Sequence, residues 1–98
     1  MDPFRYSGYT YYLSFDEKKG YLTLAIKNNL GDPVDISNAP AYDWVSRNVC
    51  NSAGECIRQR TSEEYVAYAH QQARELIDWE IDRVKFVSEV QEIINNSS

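Results

Sequence analysis

This sequence contains few of the residues that carry out chemistry at enzyme active sites. It has a single histidine, His70, and it lacks the Gly-x-Ser-x-Gly, glycine-rich phosphate-binding and His-Glu-x-x-His motifs. Nothing within helical reach of His70 completes a catalytic or metal site, so we interpret it as a boundary histidine at the edge of an apolar helix face. We therefore expect no enzymatic activity, no cofactor and no bound metal.

Positive charge is also in the minority. Lys and Arg number 10 against 15 Asp and Glu, which gives a formal net charge of -5. A negative protein is repelled by phosphate backbones, so direct binding to nucleic acid is not expected. We find neither the pattern of a signal peptide nor a run of about 18 apolar residues. The expectation is a cytoplasmic protein that does not enter a membrane.

Cysteine is scarce as well. Cys50 and Cys56 stand in the segment CNSAGEC, whose glycine would let the chain turn back and bring the sulfurs together. Without a secretory signal, however, two thiols are more often reduced, and a zinc site needs two further ligands, for which His70 is the only soft candidate. We expect reduced structural cysteines, with a disulfide as the second interpretation and a metal site as the third.

The N-terminal part of the sequence has the pattern of a small antiparallel sheet. The 98 residues suffice for one modest core and therefore for a single domain. Apolar residues alternate over residues 9–15 and again over 21–26, which predicts a β-hairpin, with Gly20 supplying the positive φ of its loop. A short third strand is predicted at 34–36. These elements form the first region, residues 1–37.

Two interpretations fit the middle region, residues 38–60. Asn38 as an N-cap, Pro40 in the first turn and apolar residues at helical spacing predict a short helix followed by a loop. The alternative is a strand over YDWVSRNV that turns back through ECIRQR as a second hairpin. We favour the helix. The fold class is then α+β, with a small N-terminal antiparallel sheet, a short middle helix and a long C-terminal helix.

The long helix is predicted over residues 61–95. Thr61 and Glu64 have the spacing of a capping box, and neither Gly nor Pro follows. Its apolar arc covers more than half the circumference, whereas a surface helix needs a stripe of only about 100°. Trp79 and Phe86 lie on the flank of this arc. We expect a partner or a second subunit to cover part of the arc, the alternative being that all of it is intramolecular core.

The opposite strip of the helix is acidic. We call it the acidic ridge, and its members are Glu75, Asp78, Asp82 and Glu89. Such strips are usually just the solvated face of a helix. Asp78 and Asp82, however, have like charges four residues apart, a spacing that costs about 0.2–0.5 kcal/mol. Because this repulsion destabilises the helix, the two charges favour a functional role. One such role is to occupy a basic groove that otherwise binds nucleic-acid phosphates.

Tyrosines are concentrated near the N-terminus. Alternation predicts Tyr9 and Tyr11 on one face of the hairpin and Tyr6 and Tyr12 on the other. Because one face packs against the helix, one pair should face outward, which is typical of a protein-binding surface. The general preference of tyrosine for strands is the alternative explanation.

These features predict a non-enzymatic, small, acidic protein-binding protein. The first hypothesis is an inhibitor that blocks a larger nucleic-acid-handling protein or nucleoprotein complex by steric or charge-mimic docking. Its size, acidity and lack of an active site resemble the profile of phage-encoded anti-restriction and anti-CRISPR inhibitors, and such an origin would place it in the host cytoplasm. The second hypothesis is a homodimeric regulatory or adaptor subunit joined through the helix.

Overall fold

A computed structural model describes residues 3–18, 20–36 and 47–97 of the chain. Five strands and one helix occur there: β1 (Phe4–Tyr6), β2 (Tyr9–Asp16), β3 (Tyr21–Lys27), β4 (Asn48–Cys50), β5 (Cys56–Gln59) and α1 (Ser62–Asn96). The first three strands form one antiparallel sheet in the order β1-β2-β3, and β4 pairs with β5 in a separate two-stranded sheet. The predicted α+β class, with a small antiparallel sheet and a long C-terminal helix, is confirmed.

The predicted hairpin is the β2–β3 pair, with Leu13 opposite Leu24 and Gly20 at a φ of 76° in its loop. The third strand of the sheet is β1 rather than the predicted segment 34–36. That segment lies outside the named strands, and only a single bridge joins Lys27 to Pro33. Backbone hydrogen bonds flank this bridge, from the Asn28 N–H to the Asp32 carbonyl and from the Val34 N–H to the Ile26 carbonyl, both at 2.9 Å, so the segment touches the sheet edge without forming a strand.

A two-residue turn brings β1 into the sheet. Ser7 and Gly8 have φ values of 50° and 83°, the two positive angles of a type I′ turn, whose twist matches that of the flanking strands. Tyr6 and Tyr9 on either side of the turn are therefore directly opposite each other.

The predicted middle helix falls largely on residues that lie outside those described. Its last part, Asn48–Cys50, is β4 and pairs with β5, so over residues 47–60 the helix prediction is wrong and the hairpin alternative is correct. Gly54, at a φ of 83°, closes the turn between the strands. This turn brings Cys50 and Cys56 together, with Cα atoms 3.9 Å apart, and a disulfide joins them. The expectation of reduced thiols is therefore wrong.

The capping box starts α1 as predicted. The Thr61 hydroxyl accepts a hydrogen bond from the Glu64 N–H at 3.2 Å, and the Glu64 carboxylate accepts one from the Thr61 N–H at 3.1 Å. The same carboxylate receives two hydrogen bonds from Arg58, at 3.0 and 2.8 Å, which tie β5 to the start of the helix. Among the described residues, no helix is both long and apolar enough to cross a membrane.

The first half of α1 packs against one face of the three-stranded sheet. Ala69 and Ala73 are completely buried, and because alanine is small they let the helix backbone approach the strands closely. The larger buried side chains around them are Tyr11, Leu13, Leu22, Ile26, Ile36, Tyr65, Leu76 and Ile77. Full burial of a Leu or Ile side chain contributes about 1.5–3 kcal/mol, so this layer is the main source of stability.

We predict that Tyr65→Phe destabilises this layer. The Tyr65 hydroxyl accepts a hydrogen bond from the buried Leu22 N–H at 2.8 Å, and the substitution removes that acceptor. An unsatisfied buried donor costs about 1–3 kcal/mol. The melting temperature should fall by about 4–8 °C per kcal/mol in a domain of this size. Tyr12→Phe is the control, because it removes a tyrosine hydroxyl on the opposite face of the sheet. Equal melting temperatures for the two variants would contradict the prediction.

A second prediction concerns the junction between β5 and the helix. Hydrogen bonds from Arg58 and from the Thr61 backbone lower the pKa of Glu64 from 4.5 to about 2. A carboxylate whose pKa is lowered in the folded state stabilises the fold. This stabilisation is fully present above pH 4.5 and is lost as the pH falls from 4.5 towards 2. An NMR titration should find the junction loosening in that window. In Arg58→Gln the Glu64 midpoint should rise, whereas Lys18→Gln, elsewhere on the surface, should leave it unchanged. An unshifted midpoint in Arg58→Gln would refute the assignment.

Candidate functional site: the exposed half of the helix

The helix is longer than the sheet that it covers. Its buried residues all lie between Tyr65 and Glu80, and all sixteen residues from Asp82 to Ser97 are exposed. At 1.5 Å per residue this exposed half extends for about 24 Å. It carries large apolar side chains, which we call the free apolar stripe: Val84, Phe86, Val87, Val90, Ile93 and Ile94. Between 37% and 68% of each is exposed, so a contiguous apolar surface is left without cover by the described residues.

Part of the free apolar stripe continues the face of the helix that packs against the sheet. Steps of four and three residues lead from Ala73 and Ile77 through Glu80 to Val84 and Val87. The same side chain direction that is buried in the first half is therefore exposed in the second. The free apolar stripe and the core have the same kind of apolar side chain. They differ because the described sheet covers the core and leaves the stripe exposed.

A polar pair closes the core where the sheet ends. Glu80 is only 7% exposed, and its carboxylate accepts hydrogen bonds from Arg83 at 3.0 and 2.7 Å. A buried carboxylate that is satisfied in this way carries no penalty of an unpaired charge. Among the described residues, the buried part of the helix thus ends at this pair, and the free apolar stripe lies beyond it.

The two aromatic residues predicted as anchors have different environments. Trp79 is half-buried and packs against the core, with the Arg83 guanidinium 5.8 Å from its ring centroid. Phe86, by contrast, is 64% exposed. Of the predicted pair, Phe86 is the side chain that a partner can reach without disturbing the core.

All four members of the acidic ridge are exposed, and helical geometry places them away from the buried side. Asp78 accepts a hydrogen bond from the Tyr6 hydroxyl at 3.2 Å, which raises the pKa of Tyr6. Glu75 accepts hydrogen bonds from Gln71 and Gln72, at 3.2 and 3.5 Å.

The acidic ridge is part of a wider asymmetry in the charge of the chain. Residues 62–97 hold eight acidic and three basic side chains, and the other residues hold seven of each. The helix therefore accounts for the whole net charge.

The tyrosines do not form the predicted exposed pair. Tyr6 packs against the core on the same side as Tyr9 and Tyr11, so its predicted place on the opposite face is wrong. The Ser7–Gly8 turn reverses the chain, and residues that are directly opposite on paired strands share a face. Tyr12 lies on the other face as predicted, but it too is partly buried.

Tyr11 belongs to a small aromatic cluster in the core. It is only 4% exposed, and its hydroxyl lies 2.7 Å from His70 Nδ1. Phe4 stacks on the Tyr11 ring at 5.3 Å and meets the His70 ring edge-on at 4.6 Å. His70 therefore has a structural partner at the boundary of the core, in agreement with the interpretation from the sequence.

The outer face of the sheet contains a groove that sequence reasoning missed. It has a volume of about 650 Å³ and is lined by residues of two turns and by five strand residues: Arg5, Tyr6, Thr10, Tyr12 and Lys27. Arg5 and Lys27 are far apart in the chain, and only the pairing of three strands brings them together. The dipeptide Ser7–Gly8 was the available signal, because it is a two-residue turn that places β1 beside β2.

The described residues contain no group of three or more His, Cys, Asp or Glu side chains arranged to hold a metal ion. Comparison with known proteins gives no further assignment. The chain matches no protein-family model, no curated protein and no solved structure.

Proposed function

We propose that this chain is a non-enzymatic binding protein that docks the exposed half of its helix on a larger nucleic-acid-handling protein or nucleoprotein complex and thereby blocks it. The observation that carries the proposal is the run from Asp82 to Ser97, in which every residue is exposed although six are large and apolar. Monomeric proteins rarely leave such a contiguous surface uncovered unless another molecule binds it.

The free apolar stripe has the spacing of a helix that inserts into a groove. Phe86, Val90 and Ile93 follow one another at steps of four and three residues, as anchors do when an amphipathic helix binds a partner. Phe86 and Ile93 are the most exposed of the six, at 64% and 68%. A well-packed aromatic anchor is the type of residue that dominates binding energy at protein interfaces.

The acidic ridge favours a partner whose groove has a basic rim. The helix carries all of the net negative charge, and its acidic side chains lie alongside the apolar ones. Complementary charge steers association and selects among partners. A groove with a basic rim is typical of proteins that handle nucleic acids, so occupation by this helix would exclude the nucleic acid both sterically and by charge.

The proposal predicts separate effects of apolar and charged substitutions on affinity for a partner purified from a host lysate. Phe86→Ala should weaken binding by about 2 kcal/mol or more, because it removes a buried anchor. Phe15→Ala is a matched control, since Phe15 is 53% exposed but lies on the sheet. Isothermal titration calorimetry measures both. Equal affinities for the two variants would exclude the free apolar stripe as the docking surface.

The charge-mimic part is tested with Asp78→Asn combined with Asp82→Asn. This variant should weaken binding and flatten its dependence on salt, because exposed charges are screened over about 8 Å at physiological ionic strength. Glu17→Gln with Glu55→Gln makes the same change in charge on two loops, and Tyr6→Phe removes the bond to Asp78 without changing charge. If the Asp78→Asn, Asp82→Asn variant binds with unchanged affinity and salt dependence, charge mimicry is refuted. Binding would then depend on the free apolar stripe alone.

A helix-mediated homodimer is the second candidate, favoured by the heptad spacing of Val87, Val90 and Ile94. Size-exclusion chromatography with light scattering should then give twice the monomer mass at micromolar concentration, and Val87→Asp with Ile94→Asp should restore the monomer mass. Val66→Asp is the control, because Val66 is 47% exposed but lies at the other end of the helix. A monomer mass for the unmodified chain at all concentrations would exclude this candidate.

A further inference from the structure

The outer face of the three-stranded sheet brings two cations to one site. Strand register places Arg5 opposite Thr10 and Thr10 opposite Lys27, so the three residues form one row across the sheet. Adjacent strands are about 5 Å apart, which separates the Arg5 and Lys27 backbones by about 10 Å. Both side chains are long enough to reach a group that sits over the Thr10 hydroxyl between them.

The row lies in the groove of about 650 Å³, within the range of about 300–1,000 Å³ that is typical of small-molecule sites. Its walls are two ordered turns. One is the Ser7–Gly8 turn. In the other, the Asn28 side chain oxygen accepts hydrogen bonds from the Leu30 and Asp32 N–H groups at 2.9 and 3.0 Å. A site with preformed walls loses less entropy on binding.

The charge of the groove is opposite to that of the chain. None of the described residues that line it is acidic, although the chain has 15 Asp and Glu. Within the described parts of the chain, neither Arg5 nor Lys27 forms a salt bridge. The groove therefore offers two cationic donors and a hydroxyl to an anion, and charge-assisted hydrogen bonds of this kind are the stronger ones.

An aromatic ring lies beside the cations. Tyr12 is two residues from Thr10 on the same face, and the Lys27 ammonium is 5.5 Å from its ring centroid. We propose that this groove binds a small phosphate monoester that carries a planar ring, in the manner of a mononucleotide. The phosphate lies between Arg5 and Lys27 above Thr10, and the ring stacks on Tyr12. This proposal does not rest on the docking surface of the helix, although the two surfaces adjoin at the Ser7–Gly8 turn, where Tyr6 lines the groove and donates a hydrogen bond to Asp78.

Adenosine monophosphate is a suitable probe, followed by NMR on the labelled full chain. Its addition should shift the amide signals of Arg5, Thr10, Tyr12 and Lys27 with a dissociation constant in the millimolar range or below, about -4 kcal/mol or better. Adenosine and inorganic phosphate, each lacking half of the ligand, should bind at least about tenfold more weakly. The absence of shifts at these four residues at about 10 mM nucleotide would overturn the proposal.

Substitutions separate a built site from general attraction of anions. Arg5→Gln and Lys27→Gln should each weaken nucleotide binding about tenfold, because each removes one charge-assisted contact. Lys18→Gln makes the same change in charge at the opposite end of the β2–β3 hairpin and should have no effect. Tyr12→Leu should abolish the preference for the nucleotide over ribose 5-phosphate. Equal weakening in Lys18→Gln and Lys27→Gln would show nonspecific attraction and overturn the proposal.

Discussion

The close contact between the first half of α1 and the inner face of the three-stranded sheet is the interaction on which the rest of the structure depends. Ala69 and Ala73 have no exposed surface, and their small side chains let the helix lie directly over Leu13, Leu22 and Ile26. A larger side chain at either alanine would separate the two layers and force strain of about 1–3 kcal/mol. This contact sets the positions of the exposed half of the helix and of the outer face of the sheet.

A mismatch in length between the two layers creates the candidate docking surface. β2, the longest of the described strands, has eight residues and spans about 27 Å, whereas α1 has 35 residues and spans about 52 Å. The sheet therefore supports only the first half of the helix. Glu80 and Arg83 close the core at the boundary. Beyond them Val84 still borders the Ser7–Gly8 turn, and the rest of the free apolar stripe is exposed in the described structure.

The same two layers separate the charges of the chain. The helix carries eight acidic and three basic side chains, while Arg5 and Lys27 lie on the opposite side of the sheet from the helix. The two surfaces adjoin at the Ser7–Gly8 turn, where Tyr6 donates a hydrogen bond to Asp78, but among the described residues neither Arg5 nor Lys27 forms a salt bridge with the acidic ridge. One small domain can thus present an apolar and acidic surface on the helix and a cationic groove on the sheet, each suited to a different kind of ligand.

The sequence by itself determined the elements whose signals act over a few residues: the β2–β3 hairpin, the capping box at Thr61 and Glu64, and the uninterrupted helix after it. Only the tertiary structure decided which residues meet. Tyr6 reaches Asp78 across 72 positions, and Tyr11 reaches His70 across 59. Periodicity likewise identified the apolar side of the helix but not the residue at which its burial ends. That limit depends on how far the sheet extends, because a side chain is buried only where another element lies against it.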